Sequence, residues 1–439
     1  MANIYSVSLG CPKNRVDTER LLASIPGMTP VTDIGDAECV LINTCAFIDP
    51  AIRESVSVIA ETIEDIAGER GGRKPLLTVS GCLVGRYGEE TLAPELPEVD
   101  LWLDNRDLGA WTARLRAALA ARGLDMGGAC TNLRYLSTAP SFAWLKISDG
   151  CDHTCAFCTI PSIRGKFYST PEDDLVREAK DLLGQGVREL ALVAQDSTAW
   201  GKDLGGGKSL MTLMERLALL PGLEWMRVLY MYPAGLTTEF LSFLHGMGKP
   251  FVPYFDIPVQ HAHPDVLARM GRPFARDPAK VLDRVREFFP EAALRTTLIV
   301  GFPGETDAQF KALYDFVERQ RFMHLGVFAY QAEEGTAAAA MPDQVPDEVK
   351  EERRDILMEL QAEISEEILA EYDGETLDVL VDAPHPEWPG LFTGRTWFQA
   401  PEIDGLTYVS GPGVDVGAMV KADIVETREY DLVGLTEAE

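Results

Sequence analysis

Gly150-Cys151-Asp152-His153-Thr154-Cys155-Ala156-Phe157-Cys158 carries three cysteines with the spacing Cys-x3-Cys-x2-Cys. It follows directly on an apolar run, Trp144–Ser148, that reads as a strand. From there to residue 335, strands and helices alternate. The other strand segments are Glu189–Ala194, Trp225–Met231, Tyr254–Val259, Arg295–Val300 and Leu325–Tyr330. Glu172–Leu183, Leu210–Leu219 and Pro278–Phe289 have helical periodicity and lie between them. Such alternation predicts a (β/α) barrel or partial barrel, with chemistry at the C-terminal ends of the strands. The cysteine loop lies at one of those ends.

Residues 1–130 read as a separate α/β domain. Ile4–Leu9, Val40–Asn43 and Leu76–Ser80 are strand-like, and Asp17–Ile25 and Ala51–Ile66 are helix-like. Their alternation argues for a parallel sheet. Residues 131–143 contain Pro140 with several Ser and Thr and read as a linker. The barrel domain spans 144–371 and closes on an acidic helix, Pro346–Glu371. That helix places Val349, Ile356, Leu360, Ile364 and Ile368 on one face. Residues 372–439 break into short alternating runs, Thr376–Val381, Gly405–Val409 and Met419–Glu426, and predict a small β-barrel.

The chain has 439 residues, 46% hydrophobic and 25% charged, which excludes a disordered or fibrous protein. No run of 18 or more apolar residues predicts a membrane span. MANIYSVSLG lacks a basic region followed by a long apolar stretch, so a cytoplasmic location is expected. The net charge of −29 should repel phosphate backbones and attract basic partners. Eight cysteines are too few for a disulfide scaffold of this length and point to metal or redox chemistry.

Three thiolates of one short loop can hold three irons of a four-iron cluster and leave the fourth without a protein ligand, although spacing alone also admits a chance cluster or a zinc site. An open position on a metal is where substrate or cofactor binds. A zinc site would call for a fourth Cys or His. Cys11, Cys45 and Cys82 each lie just past the C-terminal end of an N-terminal strand, in Leu9-Gly10-Cys11-Pro12, Asn43-Thr44-Cys45-Ala46 and Ser80-Gly81-Cys82-Leu83. Parallel strands bring such loops to one sheet edge, so the three should converge and could hold a second cluster. Spacing alone also admits three unrelated buried cysteines. Cys39 and Cys130 read as structural or free thiols.

Cys151-x3-Cys155-x-Phe157-Cys158 at the start of a barrel resembles the radical S-adenosylmethionine (radical SAM) enzymes. The resemblance implies a [4Fe–4S] cluster on Cys151, Cys155 and Cys158, with SAM chelating the open iron and cleaved to an adenosyl radical. It implies that Phe157 lies near the adenine and that Gln195 contacts the SAM amino group. Gly301-Phe302-Pro303-Gly304-Glu305-Thr306 looks like the family's Gly-rich SAM-binding turn. Gly301, Pro303 and Gly304 are its candidate cofactor-binding residues, since glycine lets backbone approach a ligand closely.

Cys11, Cys45 and Cys82 resemble the amino-terminal domain of the methylthiotransferase branch. That likeness implies a second [4Fe–4S] cluster, which delivers the sulfur. The closing β-barrel resembles a TRAM domain. No general acid–base pair is implied beyond the clusters. Flavodoxin or ferredoxin is the kind of electron donor implied.

The branch has two substrate types, an adenosine beside a tRNA anticodon and an aspartate of a ribosomal protein. Residues 371–439 hold three basic against fifteen acidic side chains, a net of −12. Phosphate neutralisation dominates RNA affinity, so direct nucleic-acid binding is not expected. A basic small-subunit ribosomal protein suits this charge. Ser148-Asp149-Gly150-Cys151-Asp152-His153 and Ile160-Pro161-Ser162-Ile163-Arg164-Gly165 also resemble the ribosomal-protein branch. The expected activity is therefore methylthiolation at the β-carbon of an aspartate in the twelfth small-subunit protein. A tRNA methylthiotransferase and a non-enzymatic iron–sulfur electron carrier are the alternatives.

Two further motifs carry less. Gly205-Gly206-Gly207-Lys208-Ser209 lacks the first glycine of a P-loop and reads as a loop. His261 and His263 read as lining a barrel loop rather than binding metal.

Overall fold

Val40, Leu41 and Ile42 are all buried, so one strand is covered on both faces. Val40 and Ile42 pack with Ile59, Leu77, Val79 and Trp102. Cys39 and Leu41 pack on the other side with Leu21, Leu22, Trp111 and Leu115. Double coverage of this kind belongs to parallel sheets flanked by helices. The computed structural model describes residues 2–68, 74–124, 127, 133–272 and 277–437. Two units arise from the contacts. One takes the chain up to Ser137 with Asp149–His153 and Cys158–Tyr168, and the other takes Thr138–Ser148, Thr154–Phe157 and Ser169 onward.

The first unit holds strands β1 (Ala2–Ser8), β2 (Met28–Pro30), β3 (Cys39–Thr44), β4 (Leu76–Gly81) and β5 (Leu101–Asp104). Their order is β2-β1-β3-β4-β5, and every pairing is parallel. The expected parallel α/β domain is present, with two extra edge strands. At three and four residues, β2 and β5 are too short to show a period. The helix Asp49–Gly68 buries Ser55, Ile59, Thr62 and Ile66, a spacing of three and four that makes one stripe. Arg134 and Glu19 form a fully buried ion pair, and Ser137 donates its N–H to Glu19 at 2.8 Å. This fastens the segment ending the unit to the helix Pro12–Ala23.

Short strands β7 (Ser148–Asp149) and β8 (Tyr168–Ser169) flank the Cys151–Cys158 loop in the chain. The second unit is built on β6 (Phe142–Lys146), β9 (Glu189–Val193), β10 (Trp225–Val228), β11 (Phe251–Asp256), β12 (Ala293–Val300) and β13 (His324–Ala329). They form one parallel sheet in the order β13-β12-β11-β10-β9-β6, with β6 and β13 at its edges. It is thus a partial barrel, as the strand count predicted.

The helix Asp347–Ala370 packs against β13 and covers that edge. Its buried stripe differs from the expected one. Leu360 and Ile364 are buried, whereas Val349, Ile356 and Ile368 are half-buried, and Lys350, Arg353 and Gln361 lie inside. The reason is polar pairing that an apolar pattern does not register. Arg353 meets Glu305 at 2.8 Å, and Gln361 donates to the Phe322 carbonyl at 2.8 Å.

The chain ends in a closed five-stranded barrel: β14 (Thr376–Pro384), β15 (Leu391–Arg395), β16 (Thr407–Ser410), β17 (Met419–Thr427) and β18 (Leu432–Leu435). Val379, Val381, Val409 and Ala422 fill it. A buried charge network joins it to the central sheet. Arg395 binds Asp382 at 2.7 Å and also reaches Glu189, while Arg227 meets Glu189 at 2.8 Å and donates to the Trp397 carbonyl. Among the described residues, no helix is long and apolar enough to cross a membrane.

Candidate metal centres

Cys11, Cys45 and Cys82 follow β1, β3 and β4 on the same sheet edge, and the side chains between them show that they converge. Cys11 caps the helix Pro12–Ala23, and Cys82 begins the helix Cys82–Tyr87. A Cβ at Gly10, whose φ is +83°, would stand 2.6 Å from Cys45 Cβ and 2.8 Å from its Sγ. Glycine before Cys11 therefore lets the Cys45 loop close in. Asn14 pins the same loops, its amide donating at 2.9 Å to the carbonyls of both Leu9 and Thr44. Cys82 Sγ lies 3.7 Å from Asn14 Oδ1 and takes an N–H from Asn105 at 3.5 Å.

The three thiols also sense one another electrostatically. Burial, with Cys82 and Cys11 adding repulsion, pushes the Cys45 pKa up to about 11. Burial raises Cys82 as well, against the pull of Arg164. Burial opposes the Cys11 thiolate too, yet Lys13, Arg164 and the N–H groups of Asn14 and Lys13 bring its pKa below the ordinary value. Cys39 belongs to the apolar core, where burial pushes its thiol up to about 12. Cys130 lies outside the described residues.

Among the described residues, no three His, Cys, Asp or Glu side chains close around a single metal ion. A four-iron cluster is a cube whose ligands attach at separate corners, so its thiolates stand wider apart than the donors of one ion. All three cysteines are free thiols. Three converging thiols with cationic and N–H neighbours fit such a group.

Cys151, Cys155 and Cys158, none of them in a disulfide, are the half-buried thiols of the second triad. In the first unit, Cys151 donates its N–H to the Gly165 carbonyl at 3.3 Å. Gly150 has φ +70°, and a Cβ there would lie 2.2 Å from the Lys166 carbonyl oxygen. In the second unit, the Arg272 guanidinium donates to Cys155 Sγ at 3.8 Å and to the Pro258 carbonyl at 2.8 Å. It also stacks over Tyr232 at 4.6 Å. A buried cation aimed at a thiol suits a thiolate ligand.

Phe157 is half-buried against a cluster containing Val266, Met270, Phe302 and Tyr330. Loop and Gly-rich turn thus share one apolar patch through Phe157 and Phe302. Gln195, half-buried, lies just past β9. In the turn, Gly301 (φ +69°) and Gly304 (φ +74°) are both left-handed. A Cβ at Gly301 would sit 2.2 Å from Lys350 Cγ. Chain packing thus accounts for glycine at 301, where close approach of a ligand was the expected reason. Pro303 and Gly304 offer carbonyls to Arg269, each at 3.2 Å. Glu305 accepts the Gly301 N–H at 3.0 Å and faces His261 Nε2 at 3.4 Å. His261 Nδ1 accepts the His263 N–H at 2.9 Å. Ser209 caps the helix Leu210–Ala218, and Gly205–Gly207 form an exposed loop before it.

Three family models match in order: Uncharacterized protein family UPF0004 over residues 3–104, Radical SAM superfamily over 145–317 and TRAM domain over 374–436. The "Ribosomal protein uS12 methylthiotransferase RimO" of Nitratidesulfovibrio vulgaris (strain DP4) is 66% identical over 436 residues, covering 99% of this chain and 100% of that protein. The chain belongs to the uS12 methylthiotransferase (RimO) family. Its relative of the same name in Lawsonia intracellularis (strain PHE/MN1-00) is 52% identical, covering 99% of this chain and 98% of the other. Among solved structures, the radical S-adenosylmethionine methyltransferase TsrM from Kitasatospora setae matches with a TM-score of 0.54. It is 12% identical, over 89% of this chain and 78% of that one, which speaks for the fold alone.

For this RimO-family chain, sequence reading missed Asn14, Asn105, Arg164 and Arg272 as neighbours of the cysteines. Arg164 had a signal, since it sits in the Ile160–Gly165 motif. The others are ordinary polar residues in sequence and acquire a role only through distant contacts.

Proposed function

We propose that this chain methylthiolates the β-carbon of an aspartate in ribosomal protein uS12, a basic protein of the small subunit. The observation that carries the proposal is the gathering of Cys11, Cys45 and Cys82 at one sheet edge in a chain that also bears the Cys151–Cys158 loop. Two thiolate triads match a reaction that needs both a radical source and a sulfur source.

In this reading Cys151, Cys155 and Cys158 hold one [4Fe–4S] cluster, and Cys11, Cys45 and Cys82 hold a second. When bound, the clusters and SAM supply a carbon-centred radical that removes hydrogen and the methylthio group that replaces it. The protein's own residues hold these groups in place. Arg272 donates to Cys155 Sγ and to the Pro258 carbonyl, which fixes that part of the loop. Glu305 ties the Gly301 N–H to Arg353 and so shapes the turn. Phe157 offers a partly open aromatic face beside that turn, and Gln195, at the end of β9, is the proposed contact of the SAM amino group. The proposed domain limits are 1–130, 144–371 and 372–439, with 131–143 between. The net charge of −12 over residues 371–439 supports docking of a basic protein rather than RNA. A ferredoxin or flavodoxin is the proposed electron donor, and the cytoplasm the proposed location.

The test is mass spectrometry of ribosomal proteins and tRNA from cells with and without the gene. The expected result on deletion is a uS12 lighter by one S-methyl group in place of hydrogen. Unchanged ribosomal proteins with loss of a methylthio-adenosine from tRNA would refute the protein substrate.

A further inference from the structure

Arg164 lies shortly after the Cys151–Cys158 loop in the chain and is buried, with 4% of its surface exposed. Its guanidinium is fixed from two sides. One nitrogen meets Asp149 at 2.8 Å and Asp17 at 3.3 Å. The other donates to Asn14 Oδ1 and to Cys82 Sγ, the latter at 3.7 Å. Asp149 stands two residues before Cys151, and the Gly165 carbonyl beside Arg164 accepts the Cys151 N–H. One side chain thus touches a ligand of the N-terminal triad while held by the loop that opens the other triad.

The setting is asymmetric. Cys82 receives side-chain donors from Arg164 and Asn105, whereas the Cys11 and Cys45 sulfurs meet backbone N–H groups of Lys13, Asn14 and Phe47. The guanidinium is planar and cannot lose its proton, so its charge and its aim persist at any working pH. A fixed cation and N–H groups beside a cluster sulfur favour the reduced, more negative state.

We propose that Arg164 is a positioning residue that draws negative charge onto the Cys82 corner of the N-terminal cluster and raises that cluster's reduction potential. This rests on the two-cluster reading above.

The experiment uses the full chain with Cys151, Cys155 and Cys158 replaced by alanine, reconstituted anaerobically with iron and sulfide. Iron is counted, and the midpoint potential is read by EPR during dithionite titration. The parent is expected to hold one cluster's worth of iron. R164Q on that background is expected to keep the iron and titrate at a lower potential. R164K, which keeps a cation between the aspartates but loses the fork, is expected to fall between them. A parent without iron refutes the two-cluster reading and this inference with it. A parent with iron and an unshifted potential in R164Q or R164K refutes this inference alone, as does loss of iron from both variants while they remain folded. The parent also supplies a reading free of variants, since 15N-arginine labelling should give a 15N coupling in the spectrum of the reduced cluster. Its absence overturns the proposal even where neither variant folds.

Discussion

Asn14 donates its side-chain amide to the carbonyl of Thr44, the residue before Cys45, at 2.9 Å. A second N–H reaches the Leu9 carbonyl, two residues before Cys11, and its Oδ1 faces Cys82 Sγ. One buried amide therefore stands between all three loops.

Asn14→Ala removes both donors and strands two carbonyls. The expected cost is about 1–3 kcal/mol in urea unfolding. Iron bound by the N-terminal triad is expected to fall with it, read by iron counting in protein whose other triad is intact. Wild-type stability and iron content in this variant would show that the sheet alone places the cysteines.

Glu189 lies between Arg227 and Arg395 with no exposed surface. Glu189→Gln leaves two buried cations with one carboxylate fewer. Breaking such a network is expected to cost about 3–5 kcal/mol. Because Arg395 belongs to the closing barrel and Glu189 to the central sheet, the barrel's tryptophans should lose near-ultraviolet dichroism at lower denaturant than in the wild type.

The same carboxylate sets an acid limb. Burial alone would raise the Glu189 pKa, but Arg395 and Arg227 outweigh it and hold the folded value below the ordinary range. The unfolded chain then binds the proton first as pH falls. The stabilisation is complete above the ordinary carboxylate pKa and is lost as pH drops through the folded value. Thermal midpoints measured from pH 7 downward should fall on the acid side, and Glu189→Gln should flatten that limb.

Gly150→Ala sets a Cβ against the Lys166 carbonyl oxygen, a backbone atom that cannot swing away, at a φ of +70°. Strain of this kind is worth about 1–3 kcal/mol or more. The start of the Cys151 loop should shift, and iron on that triad should drop while iron on the N-terminal triad stays. Equal loss from both would show a general folding defect instead.

Much of the site was legible because strand direction is legible. Once Ile4–Leu9, Val40–Asn43 and Leu76–Ser80 read as parallel strands, the cysteines after them had one edge to occupy. The six central strands were legible from alternation and are present in that number. Strands β2 and β15 were not, being short and carrying Pro30 and Gly394. The buried face of Asp347–Ala370 was misjudged because Lys350, Arg353 and Gln361 are buried with polar partners.

By itself the sequence determined the cysteine spacing, the order of elements and the charge of the closing barrel. These are local or additive properties, and each survives being read one window at a time. Tertiary structure alone decided that Arg164 reaches Cys82 and that Lys350 fills the space beside Gly301. It also decided that Asn14, rather than another amide, ties the loops. All but the Asn14–Leu9 bond join residues tens of positions apart. The preference that selects them is the need of each buried polar group for a partner, and that need carries no period along the chain.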